Sequence, residues 1–169
     1  MDFISLKRIL SVNAGVIDKL IEGVTPDQAR WKPDPERWSI LEVINHLYDE
    51  EREDFRLHLE VMLNRPDDPW PPIDPGNWIT TRKYNERELT KSLDDFLSER
   101  QQSLEWLKKM EAPNWESTIQ APWGAFKAGE MFASWVIHDQ WHIEQLVRLR
   151  RDYSTMLARP YSVEYAGTL

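Results

Sequence analysis

Apolar side chains recur at three- and four-residue steps over four stretches of the chain, the period of helices that bury one face. The first runs over about 3–22, where Phe3, Leu6, Ile9, Leu10, Val12, Val16, Ile17 and Leu20 form the stripe and Gly23 offers a stop. Thr25-Pro26-Asp27-Gln28 reads as a short capped turn, since Pro suits the first helical position behind a Thr cap. Ser39-Ile40-Leu41-Glu42 announces a second helix through a capping box, in which hydroxyl and carboxylate satisfy each other's orphan backbone N–H groups. That helix is expected to reach about Leu63, before Asn64-Arg65-Pro66.

Arg65 to Thr81 holds Pro66, Pro69, Pro71, Pro72 and Pro75, and this density cannot continue a helix, so the segment reads as a long crossover. Helical spacing returns from about Glu86 to Met110 through Leu89, Leu93, Phe96, Leu97, Leu104 and Leu107. A loop with Pro113 and Pro122 follows, and the last helix is expected over roughly Ala128 to Arg151. The tail, 152–169, is only weakly patterned. Strand-like alternation is nearly absent and no internal repeat stands out. The pattern predicts one all-α domain over 1–169, a four-helix bundle with long crossover connections.

Composition narrows the chemistry. The 169 residues carry 29 acidic and 21 basic side chains, a net charge of −8, and no cysteine, which excludes disulfide scaffolds, Cys-ligated zinc and an endogenous thiol nucleophile. Any thiol chemistry needs an external thiol. The acidic balance without a long Lys/Arg run argues against a nucleic-acid partner. No apolar run reaches the roughly 18 residues of a membrane helix, and the start lacks the order of a signal peptide, so no membrane partner and a cytoplasmic location are expected. Trp70, Trp78, Trp115 and Trp123 fall in the two long connections, where they either wall a pocket or cap the bundle ends.

The candidate chemistry lies on the core-facing stripe of the last helix. Met131, Trp135, His138, His142, Leu146 and Leu149 step by fours and threes, which puts His138 and His142 one turn apart on an apolar face. Two such imidazoles either bind one metal ion or are core histidines satisfied by neighbours. His46, between Val43 and Leu47 in the second helix, is the plausible third ligand. Three neutral imidazoles leave coordination positions open for water or substrate, which marks a catalytic site. His58 lies about 120° round an ideal helix from His46 and reads as a surface or boundary residue.

Glu50 and Glu53 follow His46 at four and seven residues; each serves either as an acceptor for an imidazole N–H, as a general base, or as part of the solvated run Asp49 to Asp54. Glu50 is retained as the candidate catalytic base. Asp139 and Glu144 read as surface charges, Gln145 reaches a ligand or a neighbouring helix, and Trp135 and Trp141 are candidate pocket walls.

Trp38-Ser39-Ile40-Leu41-Glu42, then His46-Leu47, then His138-x-x-x-His142-x-x-Gln145 resemble the DinB/YfiT-like superfamily of metalloenzymes, in element order over nearly the whole chain. The resemblance implies an up-down-down-up bundle, a divalent metal (zinc or nickel) at His46, His138 and His142, a homodimer, and thiol S-transferase or isomerase activity with a low-molecular-weight thiol as co-substrate. Trp141 departs from it, standing where the family often has a second His or a small residue, and puts the substrate class in doubt. The leading expectation is a metal-dependent S-transferase acting on a small-molecule substrate. A metal-dependent hydrolase and a non-catalytic ligand-binding or stress-response protein are the alternatives.

Overall fold

The computed structural model describes residues 1–167, so the last two positions of the weakly patterned tail, Thr168 and Leu169, lie outside the described residues. Helix α1 (Phe3–Ile21) starts behind Asp2, whose carboxylate accepts from the Ser5 N–H, and α2 (Pro26–Arg30) has Thr25 as its cap and Pro26 in its first turn. The capping box opens α3 (Ile40–Glu50): Ser39 Oγ accepts from the Glu42 N–H at 3.1 Å and the Glu42 carboxylate accepts from the Ser39 N–H at 2.8 Å. A π-helical turn (Glu51–Phe55) joins α3 without a break to α4 (Arg56–Asn64). The crossover contains α5 (Pro75–Thr81), possible despite the prolines because Pro75 sits in its first turn, where its missing N–H costs no hydrogen bond. Helices α6 (Leu89–Lys108) and α7 (Ala128–Leu157) complete the bundle, α7 running six residues past its expected end at Arg151.

Side-chain pairings fix the directions. Asn13 donates to Asp139 and Arg150 to the Leu20 carbonyl, so α1 and α7 run parallel. Asn45 pairs with Ser92, Glu51 with Arg100 and Arg56 with Ser103, so α3–α4 runs parallel to α6. Leu10 shares a core with Leu107 and Met62, while Ile17 shares one with Phe96 and Ile44, so these two are antiparallel to α1. The order is up-down-down-up, and two consecutive parallel helices require the long return through residues 65–88.

One strand pair departs from the expected all-helical pattern: β1 (Thr118–Ala121) and β2 (Gly124–Lys127) form an antiparallel hairpin across Pro122-Trp123. Gly124, at φ +129°, supplies a backbone conformation closed to L side chains. Four-residue strands are too short for alternation to announce them. The connection tryptophans mostly cap the bundle end: Trp115 packs on Phe3 and Phe132, and Trp70 on His58 and Trp123. No helix among the described residues is long and apolar enough to cross a membrane.

Candidate metal centre

His46 on α3 and His138 and His142 on α7 converge where the two helices face each other. His138 Nε2 lies 3.3 Å from His46 Nε2 and 3.1 Å from His142 Nε2, with one ligand atom from each residue inside a 4.8 Å cluster. Burial makes the charged form costly and depresses all three: His46 to about 3, reinforced by His142, and His138 and His142 below the usual histidine value. The Nδ1–H of His142 donates to Gln145 Oε1 at 2.8 Å, which leaves its Nε2 as a lone pair aimed at the cluster. Trp38, just ahead of the capping box, holds the rings edge-on to His46 at 4.8 Å and stacked on His142 at 6.0 Å.

Three neutral imidazoles with converging lone pairs fit a divalent cation. At an N–metal distance of about 2.0–2.1 Å, tetrahedral ligand atoms stand roughly 3.3 Å apart, close to the separations of His138 from His46 and from His142. Without a cation or a shared proton, such lone pairs repel. His138 and His142 also line an open depression of about 490 Å³ with Trp141, Gln145, Arg37 and the ion-paired Glu144 and Arg148.

Other expected site residues fall elsewhere. Trp141 is 73% exposed and lines this depression. Trp135 is a core residue instead of a pocket wall: it stacks on Phe55 and donates its indole N–H to Glu51 at 2.9 Å. Glu50 is buried beside His46 Nδ1, with Oε1 at 3.8 Å, and does not line the depression. Burial, with Asp54 and Asp49 nearby, raises its carboxyl to about 9. This placement suits holding the ring rather than meeting a substrate.

Three readings of the charged residues are corrected. Asp139 is fully buried: it takes both arms of Arg100, at 2.7 and 2.8 Å, while Glu51 takes two more hydrogen bonds from the same guanidinium at 2.8 Å. The run Asp49 to Asp54 is not solvated as a block, because Asp49, Glu50 and Glu51 face inward, Asp49 accepting from Tyr84 at 2.6 Å and paired with Arg82. Glu53, only partly buried, also pairs with Arg82 and Arg52. His58 is fully buried rather than at the surface, since the Arg56 N–H bonds to the Glu51 carbonyl and the wide π turn returns the stripe that an ideal helix would carry 120° away. A lone Arg among apolar neighbours on α6 was the available signal for the Arg100 network, and it was missed.

The comparisons with known proteins agree with this geometry. A profile of the DinB superfamily matches residues 10–146. The chain belongs to the DinB superfamily. No curated protein matches it. Among solved structures it is similar to YfiT from Bacillus subtilis, described as a probable metal-dependent hydrolase with an unusual four-helix bundle topology. The TM-score is 0.79 at 15% identity, over 90% of this chain and 87% of that one. At this identity the likeness shows the shared fold. In this DinB-superfamily chain the three histidines lie in one cluster, and the bundle runs in the direction its motifs imply.

Proposed function

We propose that the protein is a divalent-metal enzyme that activates an external nucleophile, a low-molecular-weight thiol in the leading reading. The convergence of three neutral imidazole nitrogens beside an open depression is the observation that carries it. His46, His138 and His142 would hold the ion, and imidazole donors suit zinc and nickel alike. When bound, such an ion supplies Lewis acidity that lowers the pKa of a thiol or a water into the neutral range.

The chain's own residues do the rest. Burial keeps the three rings neutral, and Gln145 fixes the tautomer of His142. Glu50 is placed to hold His46. The depression has the volume of a small-molecule site and Trp141 offers it an apolar wall, while its charges are balanced, Arg37 pairing with Asp152 and Arg148 with Glu144. With no cysteine in the chain, the thiol has to come from solution. Water as the nucleophile is the second reading, favoured by the hydrolase description of YfiT.

The test is elemental analysis of gently purified protein beside His138→Ala, followed by conjugation of a model electrophile with and without chelator. Near one metal per chain, lost in the variant, with conjugation abolished by chelation, is the expected result. Conjugation that survives complete metal removal overturns the reading, and ester hydrolysis without conjugation moves it to water. The resemblance also carries a homodimer; sedimentation velocity at micromolar concentration checks it, and a single monomer boundary removes it.

A further inference from the structure

One large apolar surface beside the histidine cluster is left to solvent, the indole of Trp141. It is 73% exposed, although α7 turns it only about 60° from His138 and one position from His142, and it lines the same depression as both. Other sides of the cluster are sheathed: Trp38 stacks on His142 and stands edge-on to His46, and Phe55 packs on His138 at 4.9 Å. Trp141 therefore stands on the open approach to the three rings, at the position where the chain departs from its family's motif.

The charges around that indole narrow what it can receive. Each charged side chain that lines the depression has its counter-ion, Arg37 with Asp152 and Glu144 with Arg148. Gln145 already accepts from the His142 Nδ1–H. A charged ligand would have to break one of these pairs for a contact at the surface, where an ion pair gains little. A neutral ligand loses nothing there. The indole, for its part, offers a flat quadrupolar face, on which an aromatic ring is held more strongly than its buried area alone provides. A depression of about 490 Å³ accommodates two fused rings beside the cluster.

A second copy of the chain is a poorer occupant. On α7 only Ile137, one turn earlier and 46% exposed, extends this apolar surface, because Glu144 and Arg148 follow on the same stripe and Val147 lies about 120° round the helix. An indole buries about 150–250 Å² at most. With one partly exposed isoleucine it falls well short of the roughly 800 Å² that each partner of a stable dimer covers.

We propose that Trp141 is a specificity-determining platform, which selects a neutral substrate carrying a planar aromatic group and stacks it beside the histidine cluster. The inference deepens the metal-enzyme reading and rests on it for calling the ligand a substrate, whereas the stacking needs only the chain's own side chains.

Ligand-observed NMR on the full chain, stripped of metal so that no probe can coordinate an ion, measures affinity for three probes of related shape: naphthalene-2-carboxamide, charged 2-naphthoate and saturated decahydronaphthalene-2-carboxamide. The neutral aromatic amide is expected to bind at least about threefold tighter than either of the others. Trp141→Ala, a change at an exposed position, is expected to weaken it about tenfold, and Trp141→Phe to hold it within about threefold of wild type. Trp123→Ala, which removes an indole of like exposure, 67%, at the hairpin turn, is expected to leave it unchanged.

No binding of the amide, equal binding of 2-naphthoate or of the saturated amide, or full affinity in Trp141→Ala overturns the proposal. So does a dimer that Trp141→Ala splits in sedimentation velocity, which gives the indole to a second copy. The expected pattern in a protein that never takes up metal keeps the platform and removes the enzyme. Metal-dependent turnover with no amide binding keeps the enzyme and removes the platform.

Discussion

Replacing Arg100 by Met removes the only cation from a pocket that holds two carboxylates. Arg100 is 1% exposed, donates twice to Glu51, twice to Asp139 and once to the Leu10 carbonyl, and thereby ties the π turn, α7 and α1 to α6. Met fills much of the same volume, so the loss is electrostatic more than a cavity. Breaking a buried pair from one side costs about 3–5 kcal/mol, because the partners stay buried and uncompensated. That is a large share of the roughly 5–15 kcal/mol that holds a domain together, and it lowers the melting temperature of a chain this size by about 6–20 °C.

The sign of its pH dependence separates this cause from simple loss of packing. Burial pushes Asp139 up even with Arg100 opposing it, and without the guanidinium it rises further. Protonation then relieves the variant as pH falls, so the stability gap to wild type shrinks from pH 7 to pH 5. Removing Arg100 also relieves its repulsion of a protonated His138, which shrinks the gap in the same direction and through the same lost charge. Urea unfolding followed by intrinsic tryptophan fluorescence measures it. A gap below about 1 kcal/mol at pH 7, or one that does not shrink at pH 5, would refute the assigned electrostatic role.

The metal-free protein is expected to lose stability on acidification below pH 6.5. There the unfolded chain binds protons that His46, lowered to about 3 by burial, refuses, at about 1.4 kcal/mol per pH unit for this residue. His138 and His142 act in the same direction; Glu50, neutral when folded, opposes one of them down to about pH 4.5, and the stability from the raised His58 is fully present below 6.5, so it adds no slope there. Urea midpoints of chelated protein at pH 7 and 5 check this, and a midpoint that rises toward pH 5 contradicts it. Trp141→Ala should raise KM for the electrophile with metal content unchanged and stability altered by less than about 0.5 kcal/mol, because the ring is exposed over the depression. Loss of metal in that variant would place Trp141 in the ligand shell instead.

Local rules made much of this protein legible. The helical period of the apolar positions located all four bundle helices, and Ser39 with Glu42 marked the start of α3 to the residue, since a capping box is satisfied within one turn of chain. His46, His138 and His142 were readable because each lies on an apolar stripe, where an unpaired imidazole is costly. The hairpin at Thr118–Lys127 and helix α5 were not, being too short for period to separate from loop.

What the sequence by itself determined, then, is where helices run, which faces they bury and which three imidazoles those faces carry. Only the tertiary structure decided the fate of the charges. Arg100 lies 49 residues from Glu51 and 39 from Asp139, and whether such a group is solvated or buried depends on which helix arrives opposite it. The position of His58 likewise hung on one widened turn, a register change that no side-chain pattern announces because it is written in backbone hydrogen bonds. Burial of a charge is a property of a pair, and the pair exists only once the bundle has closed.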